Sequence, residues 1–131
     1  MGSSATHLPQ GKAGAWVLRI WRTGVDESRA GEYREFARRN SVPMFSSQPG
    51  FLGVFFAAAP RERAVVTLWE SRAAAEALEA SHSYRRTVAA IETAGFLDGE
   101  SDVELFELQG AFVGENCLDA LGRRDEARHR C

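Results

Sequence analysis

Four stretches of the chain concentrate or alternate apolar residues in the way that β-strands do. They cover residues 16–22, 51–56, 64–70 and 102–108, and they are rich in β-branched or aromatic side chains. Two other stretches, 28–41 and 71–94, repeat apolar residues at helical spacing. Val42-Pro43 is expected to end or interrupt the first helix, and Gly95 to end the second. His82-Ser83 marks a point where the second helix bends or restarts.

The order strand, helix, strand, strand, helix, strand predicts an α+β fold of the ferredoxin-like βαββαβ type, with a four-stranded antiparallel sheet. Two helices would cover one face of this sheet. On the first strand, Leu18 and Ile20 are assigned to the covered face, because the other face mixes apolar residues with the charge of Arg19. Val17 and Trp21 then fall on the uncovered face, together with Trp69 of the third strand. An uncovered aromatic face predicts a partner, and a second copy of the chain is the simplest one, which gives a homodimer through the sheet.

The composition limits the classes of protein that need to be considered. The chain has 131 residues and a net charge of −2, which fits one domain and argues against nucleic-acid binding. The longest apolar run is 51–59, too short to cross a membrane. The start of the chain lacks a secretory signal, so a cytoplasmic protein is expected. Cys117 and Cys131 have neither disulfide-framework nor metal-site spacing, and no metal site is predicted.

Three segments follow from these patterns. Residues 1–14 are small and polar and are interpreted as a disordered or artificial leader. Residues 15–108 form the patterned domain. Residues 109–131 form a C-terminal extension in which acidic residues and arginines balance, which is typical of a solvated helix or a disordered tail.

Two short motifs in this order resemble the antibiotic biosynthesis monooxygenase domain. They are Gln-Pro-Gly-Phe-Leu-Gly at 48–53 and Leu-Trp-Glu-Ser at 68–71, and the resemblance spans roughly 15–108. It implies a dimeric α/β barrel in which two sheets pack face to face. Some members of that family oxidise anthrone-type intermediates to quinones without metal or flavin. The resemblance therefore implies a small aromatic ligand and no cofactor.

The residues of the family carry over only in part. In the anthrone-oxidising members a tryptophan ends the third strand, and Trp69 matches it. Val65 and Ala75 stand where those members have an asparagine and a tyrosine. Leu78 and Val88 occupy the positions at which haem-degrading members carry a tryptophan and an axial histidine, which argues against haem degradation.

Three side chains are candidates for catalysis, and each has a simpler interpretation. Arg19 could stabilise an enolate or phenolate. It could instead form an inter-subunit ion pair with Glu70, Glu104 or Glu107, or lie at a solvent-exposed rim. His82 could move a proton, or it could be an exposed residue at a helix irregularity. Tyr84 could donate its hydroxyl to a substrate, or it could pack its ring on the sheet.

Four further side chains are candidates for substrate binding: Trp69, Trp21, Phe55 and Asn40. The three aromatic residues would form the wall of a flat apolar pocket. For Trp69 the alternative is packing at a dimer interface, and for Asn40 it is a helix cap. These candidates predict a cofactor-independent monooxygenase acting on an aromatic or polyketide-type small molecule. The alternative is a non-catalytic dimeric domain that binds small molecules or serves as an accessory.

Overall fold

A computed structural model describes residues 15–112 and 114. The predicted leader, most of the C-terminal extension and both cysteines lie outside these residues. The elements, in chain order, are β1 (Val17–Val25), α1 (Ala30–Phe36), α2 (Val42–Ser46), β2 (Phe51–Ala59), β3 (Glu62–Trp69), α3 (Arg72–Ala77), α4 (His82–Ala94) and β4 (Leu97–Glu107).

The four strands form one antiparallel sheet in the order β2-β3-β1-β4. The register places Val17 of β1 opposite Trp69 of β3 on one side and Glu107 of β4 on the other. The predicted α+β, ferredoxin-like βαββαβ fold is confirmed, with a four-stranded antiparallel sheet. No helix in the described part of the chain is long and apolar enough to cross a membrane.

The prediction of which sheet face the helices cover was wrong. Val17, Val65 and Trp69 are buried in one cluster with Ala75 and Leu78 of the α3 region. The helices therefore cover the face that carries these residues, which we call the covered face. The physical reason is that the charge of Arg19 on this face has partners, Glu79 and Tyr84, so the face that carries it can be buried together with Trp69 and Val17.

The opposite face, which we call the open face, carries the alternate side chains of each strand, which point away from the helices. Its apolar members are partly or largely exposed within the described part of the chain, with Phe55 at 60% and Phe106 at 47%. The register joins them across all four strands: Leu18, Ile20, Phe55, Val66, Leu68 and Phe106. Charged residues of β1 and β4 complete this face toward one end.

The first helix is interrupted directly before Val42-Pro43, one of the two predicted outcomes, and does not end there. A π-helical turn, Ala37–Ser41, joins α1 to α2, and the Val42 N–H donates to the carbonyl of Ala37. Proline lacks an N–H and crowds the carbonyl of the preceding turn. The wider turn leaves room for Pro43 in the first turn of α2, so the helical path continues to Ser46.

The second helical stretch is divided, close to the predicted irregularity. α3 passes into a 3₁₀ turn, Leu78–Ala80, and α4 restarts at His82. Ser81 has an extended backbone, and its side chain accepts a hydrogen bond from the Tyr84 N–H at 3.2 Å. This is an N-cap. Gly95 ends α4 in a left-handed conformation, φ 83°, as predicted.

Candidate functional site

A cavity of about 180 Å³ lies between the covered face of the sheet and the helices. Strands β1, β3 and β4 form its floor, and the α1–α2 region and α4 form its walls. Most of the lining side chains are apolar, among them Trp21, Met44, Phe45, Val65, Val88 and Ile91. For comparison, a dry cavity of about 150 Å³ holds one benzene ring. The size and the lining therefore suit one flat aromatic ring.

Arg19 brings a positive charge to this apolar wall. It lies on β1, the central strand that β3 and β4 flank, and it is only 2% exposed. Its Nη2 atom donates to Oε2 of Glu79 at 2.8 Å and to the hydroxyl oxygen of Tyr84 at 2.9 Å. Its guanidinium carbon also lies 5.3 Å from the centre of the Tyr84 ring. A buried guanidinium needs such partners, because burying a charge alone is costly.

The break between α3 and α4 positions both partners of Arg19. Glu79 belongs to the 3₁₀ turn that follows α3, and Tyr84 lies in the first turn of α4. The Ser81 cap fixes the Tyr84 backbone. Gln48, which precedes β2, donates from its side-chain nitrogen to the hydroxyls of Ser81 and Ser83 at 3.1 Å each. The loop before β2 therefore holds the start of α4 against the sheet.

Burial changes the acidity of one group on the cavity wall. Tyr33 of α1 lines the cavity and is 6% exposed. Loss of water contact raises the pKa of its hydroxyl to about 12, against a small opposing effect of the Arg63 charge. Tyr33 is thus a neutral group over the physiological range.

The structure brings three predicted site residues together: Arg19, Trp21 and Tyr84 all line the cavity. The predicted alternatives for Arg19, an inter-subunit ion pair or a solvent-exposed rim position, were wrong, because the side chain is buried and its ion-pair partner lies in the same chain. Glu104 instead pairs with Arg22 on the open face, at 2.7 Å, and Glu79 pairs with Arg19. Nothing in the sequence separates Glu79 from the other carboxylates of an alanine-rich helix, so sequence reasoning missed it.

The other four predicted site residues do not line this cavity. Trp69 is 0% exposed and packs inside the chain, with its Nε1 donating to the Thr67 hydroxyl at 2.8 Å. Phe55 lies on the open face. His82 and Asn40 are exposed, His82 at the start of α4. Substrate contact or catalysis by these four stays a prediction that the cavity does not support.

The cavity lacks a polar group that the anthrone-oxidising pattern would place on β3. Val65 lines the cavity, where the resemblance would place an asparagine, and Ala75 is buried in the core cluster. The polar chemistry of this cavity thus comes from β1 and the α3–α4 break instead of from β3. Within the described residues, no group of three or more His, Cys, Asp or Glu side chains is arranged to hold a metal ion.

The sequence matches no protein-family model, and no curated protein matches it. Solved structures do share its fold. A monooxygenase from the gene ActVA-Orf6 of Streptomyces coelicolor, in complex with nanaomycin D, superposes with a TM-score of 0.65 at 18% identity, covering 76% of this chain and 93% of that one. SnoaB, a cofactor-independent oxygenase from Streptomyces nogalater, gives 0.61 at 18% identity, with 75% and 97% covered.

A third structure comes from Caulobacter crescentus and is provisionally described as an antibiotic biosynthesis monooxygenase. It gives a TM-score of 0.63 at 14% identity and covers 74% of this chain and 92% of that one. The resemblance to the antibiotic biosynthesis monooxygenase fold is thereby confirmed. At such identities the likeness concerns the fold, and the chemistry must be argued from the cavity itself.

Proposed function

We propose that this chain is a cofactor-independent monooxygenase that oxidises a small phenolic or enolic aromatic molecule to a quinone. The observation that carries the proposal is Arg19, a buried cation on the wall of an apolar, ring-sized cavity. The shared fold with two oxygenases adds support. The absence of a polar residue at Val65 means that the proposal rests on Arg19 and Tyr84.

The reaction balances without an external reductant. A phenol with a free ring carbon opposite its hydroxyl takes up one O₂ and yields a quinone and one water, so that 1-naphthol gives 1,4-naphthoquinone. The phenolate donates an electron to O₂, and the resulting pair forms a carbon–oxygen bond. Breaking the oxygen–oxygen bond leaves one oxygen on the ring and releases the other as water.

Arg19 and the apolar wall would perform two tasks in this reaction. The guanidinium stabilises the phenolate oxygen, which lowers the energy of the electron-rich form of the substrate. Trp21 and the aliphatic side chains hold the ring flat and exclude water from the reactive oxygen species. Because about 180 Å³ is small for three fused rings, we expect one-ring and two-ring phenols to be preferred over anthrones.

Oxygen uptake tests the proposal. Purified, metal-free protein is supplied with phenol, 1-naphthol and anthrone, and O₂ consumption and quinone formation are followed together. We expect uptake above the spontaneous rate, with one atom of ¹⁸O₂ found in the quinone. Uptake that yields hydrogen peroxide and no labelled quinone would make the chain an oxidase. No uptake with any of the three compounds would contradict the proposal.

The alternative function is a non-catalytic binding domain. Arg19 already has a carboxylate partner in Glu79, as a purely structural arginine would. In that case the ring compounds would raise the melting temperature without being oxidised. The same panel of compounds therefore separates the two functions.

We also propose that two copies of the chain pair through the open face. Its apolar side chains lie in one continuous patch, from Phe55 across to Phe106, and patches of this kind mark interfaces. A second copy needs no further component, because a two-fold axis pairs the patch with itself. Sedimentation equilibrium should give twice the 14.4 kDa chain mass. A 14.4 kDa species at micromolar concentration would contradict the pairing.

A further inference from the structure

Arg19 has hydrogen-bonding capacity that its protein partners do not use. A guanidinium carries five N–H groups, and the bonds to Glu79 and Tyr84 both start from Nη2. Among the residues that the structure describes, Nε and Nη1 donate to no acceptor. These donors belong to a side chain that is 3% exposed and lines the cavity. Buried donors are seldom left without a partner, so a ligand that accepts hydrogen bonds is expected here.

The two members of the ion pair differ sharply in their surroundings. The Glu79 side chain is 59% exposed, against 3% for Arg19. It sits on a single 3₁₀ turn, followed by the extended Ser81. Its carboxylate can rotate into water at little cost, because water then replaces the hydrogen bond that it gives up. Arg19 has no such route and stays in the cavity.

The Glu79 carboxylate and an anionic group on a ligand would compete for the charge of Arg19. An anionic ligand at Arg19 with Glu79 in place would put two negative charges beside one guanidinium, and Glu92 lines the same cavity. Like charges at such distances repel in a poorly hydrated site. If Glu79 leaves, the ligand and Arg19 form a neutral pair in the buried position. An incoming oxyanion is therefore favoured when it replaces Glu79.

We propose that Glu79 is a displaceable counter-ion that sets the charge selectivity of the cavity. Glu79 pairs with Arg19 in the free protein. An aromatic ligand that carries a carboxylate or a phenolate oxygen displaces it. This inference rests on the proposed ring-binding function and adds a specificity-determining residue to it. Neutral rings can enter beside the intact ion pair, whereas anionic rings must exchange with Glu79.

Glu79→Gln tests this with two probes of the same shape, benzoate and neutral benzamide. Dissociation constants are measured by NMR titration of the whole chain. Removing the competing charge should tighten benzoate binding roughly three- to fivefold, the upper range for an ion pair with one exposed partner. Benzamide binding should change less than about twofold, since it does not displace Glu79. Glu79→Ala should shift benzoate in the same direction.

Glu76→Gln is the matched control. Glu76 lies on α3, is exposed and pairs with Arg72 at 3.6 Å, so the variant makes the same change in net charge away from Arg19. It should leave both dissociation constants unchanged. Arg19→Met should lose the tightening of benzoate even when combined with Glu79→Gln.

Three outcomes would overturn the inference. Weaker or unchanged benzoate binding in Glu79→Gln would make Glu79 a fixed support of Arg19. An equal gain for benzamide would remove the charge selectivity. If the wild-type chain oxidises phenols and one of these two results is found, this inference is wrong and the proposed function is unaffected. No binding of either probe by any variant, with no oxygen uptake, would overturn both.

Discussion

The two faces of the sheet use arginines of the same strand in different ways. Arg19 points into the covered face, where it is 2% exposed and touches Tyr84 and Glu79. Arg22, three residues further along the strand and on the open face, has a side chain 38% exposed and reaches Glu104 at 2.7 Å. Exposed pairs of that kind contribute little to stability. The same residue type thus forms a site on one face and a surface ion pair on the other.

The apolar residues differ in a parallel way. On the covered face Trp69 and Val65 bury their surface within one chain. On the open face Phe55 and Phe106 keep about half of theirs exposed. The covered face therefore stabilises the chain and holds the ring-sized cavity, while the open face has apolar surface left for association. Changing one residue on one face, with a matched residue on the other face as its control, therefore separates the two roles for the tryptophan and for the arginine.

The largest effect is expected from Trp69→Ala. Trp69 is 0% exposed and packs edge-on against Phe51, with ring centres 5.8 Å apart. Its removal leaves a cavity in the core and should lower the free energy of unfolding by about 3–5 kcal/mol, measured by urea denaturation.

Phe55→Ala is the control for that change on the open face. Within one chain it removes a side chain that is already 60% exposed, so it should cost about 1 kcal/mol or less. Any larger loss should shrink on dilution, because it would come from the dimer. Equal, concentration-independent losses in the two variants would show that the faces do not differ as described.

The second prediction compares the two arginines. Arg19→Met should reduce phenol oxidation by about 10²–10³-fold in kcat, the usual effect of removing a group that stabilises a developing oxyanion. It should leave stability the same or higher, because an apolar side chain replaces a buried charge whose partner Glu79 can turn to water. Turnover and thermal melting are measured on the same preparation.

Arg22→Met makes the same chemical change on the open face of the same strand. It removes an exposed ion pair with Glu104 and should leave turnover within about twofold. If both variants stay folded and lose activity alike, or if a folded Arg19→Met keeps wild-type turnover, the cavity is not the site of oxidation.

The third prediction concerns association. Val66 lies in the middle of the open face, opposite Ile20 of β1 and Phe55 of β2. Val66→Asp would bury a carboxylate in the proposed interface and should weaken the dimer by about 100-fold or more, read as a shift to monomer in sedimentation equilibrium.

Ala90→Asp introduces the same charge on the exposed side of α4, away from both sheet faces. It should leave the dimer intact. A dimer that survives Val66→Asp would place the interface elsewhere and remove the association role from the open face.

The sequence was enough to predict the order of the elements, because strand and helix periodicities depend on neighbouring residues. The four strands, the restart near His82 and the Gly95 cap are all local signals of this kind. The assignment of faces failed because it weighed Arg19 as a charge that belongs outside. Its burial depends on Glu79 and Tyr84, which lie 60 and 65 residues away in the chain, and no local pattern reports such a contact.

Contacts between residues distant in sequence also decided which of the predicted site residues line the cavity. Arg19 and Tyr84 were singled out by residue type, yet their meeting depends on the Ser81 cap and on Gln48. Trp69 was chosen from a motif, and the motif marks the strand end without saying whether the ring meets a cavity. Pro43 was expected to end or interrupt a helix, and the π-helical turn before it decided between the two by letting the helical path continue. Long-range packing decided each of these points.

The smallest effect concerns a contact that ties the β2–β3 hairpin to the covered side. Oε2 of Glu27, just before α1, accepts hydrogen bonds from the Arg61 N–H at 2.6 Å and from Nη1 of Arg63 at 3.1 Å. The Arg63 hydrogen bond, followed by that from Arg61, lowers the pKa of this carboxyl below its ordinary value of 4.5. The folded state therefore favours the charged form. Its stabilisation is full above the unfolded pKa and is lost as pH falls through the folded one.

Glu27→Gln should thus lower the melting temperature slightly at pH 7, by a few degrees at most, because the contact is exposed. The difference from wild type should close as the pH falls well below 4.5, where the wild-type carboxyl is also neutral. Glu62→Gln changes an exposed carboxyl on the same hairpin and should leave the melting temperature close to that of the wild type at both pH values. A Glu27→Gln difference that stays constant with pH would mean that the side chain acts through its shape and not its charge. The hairpin would then be held to the covered side by packing alone, like the rest of that face.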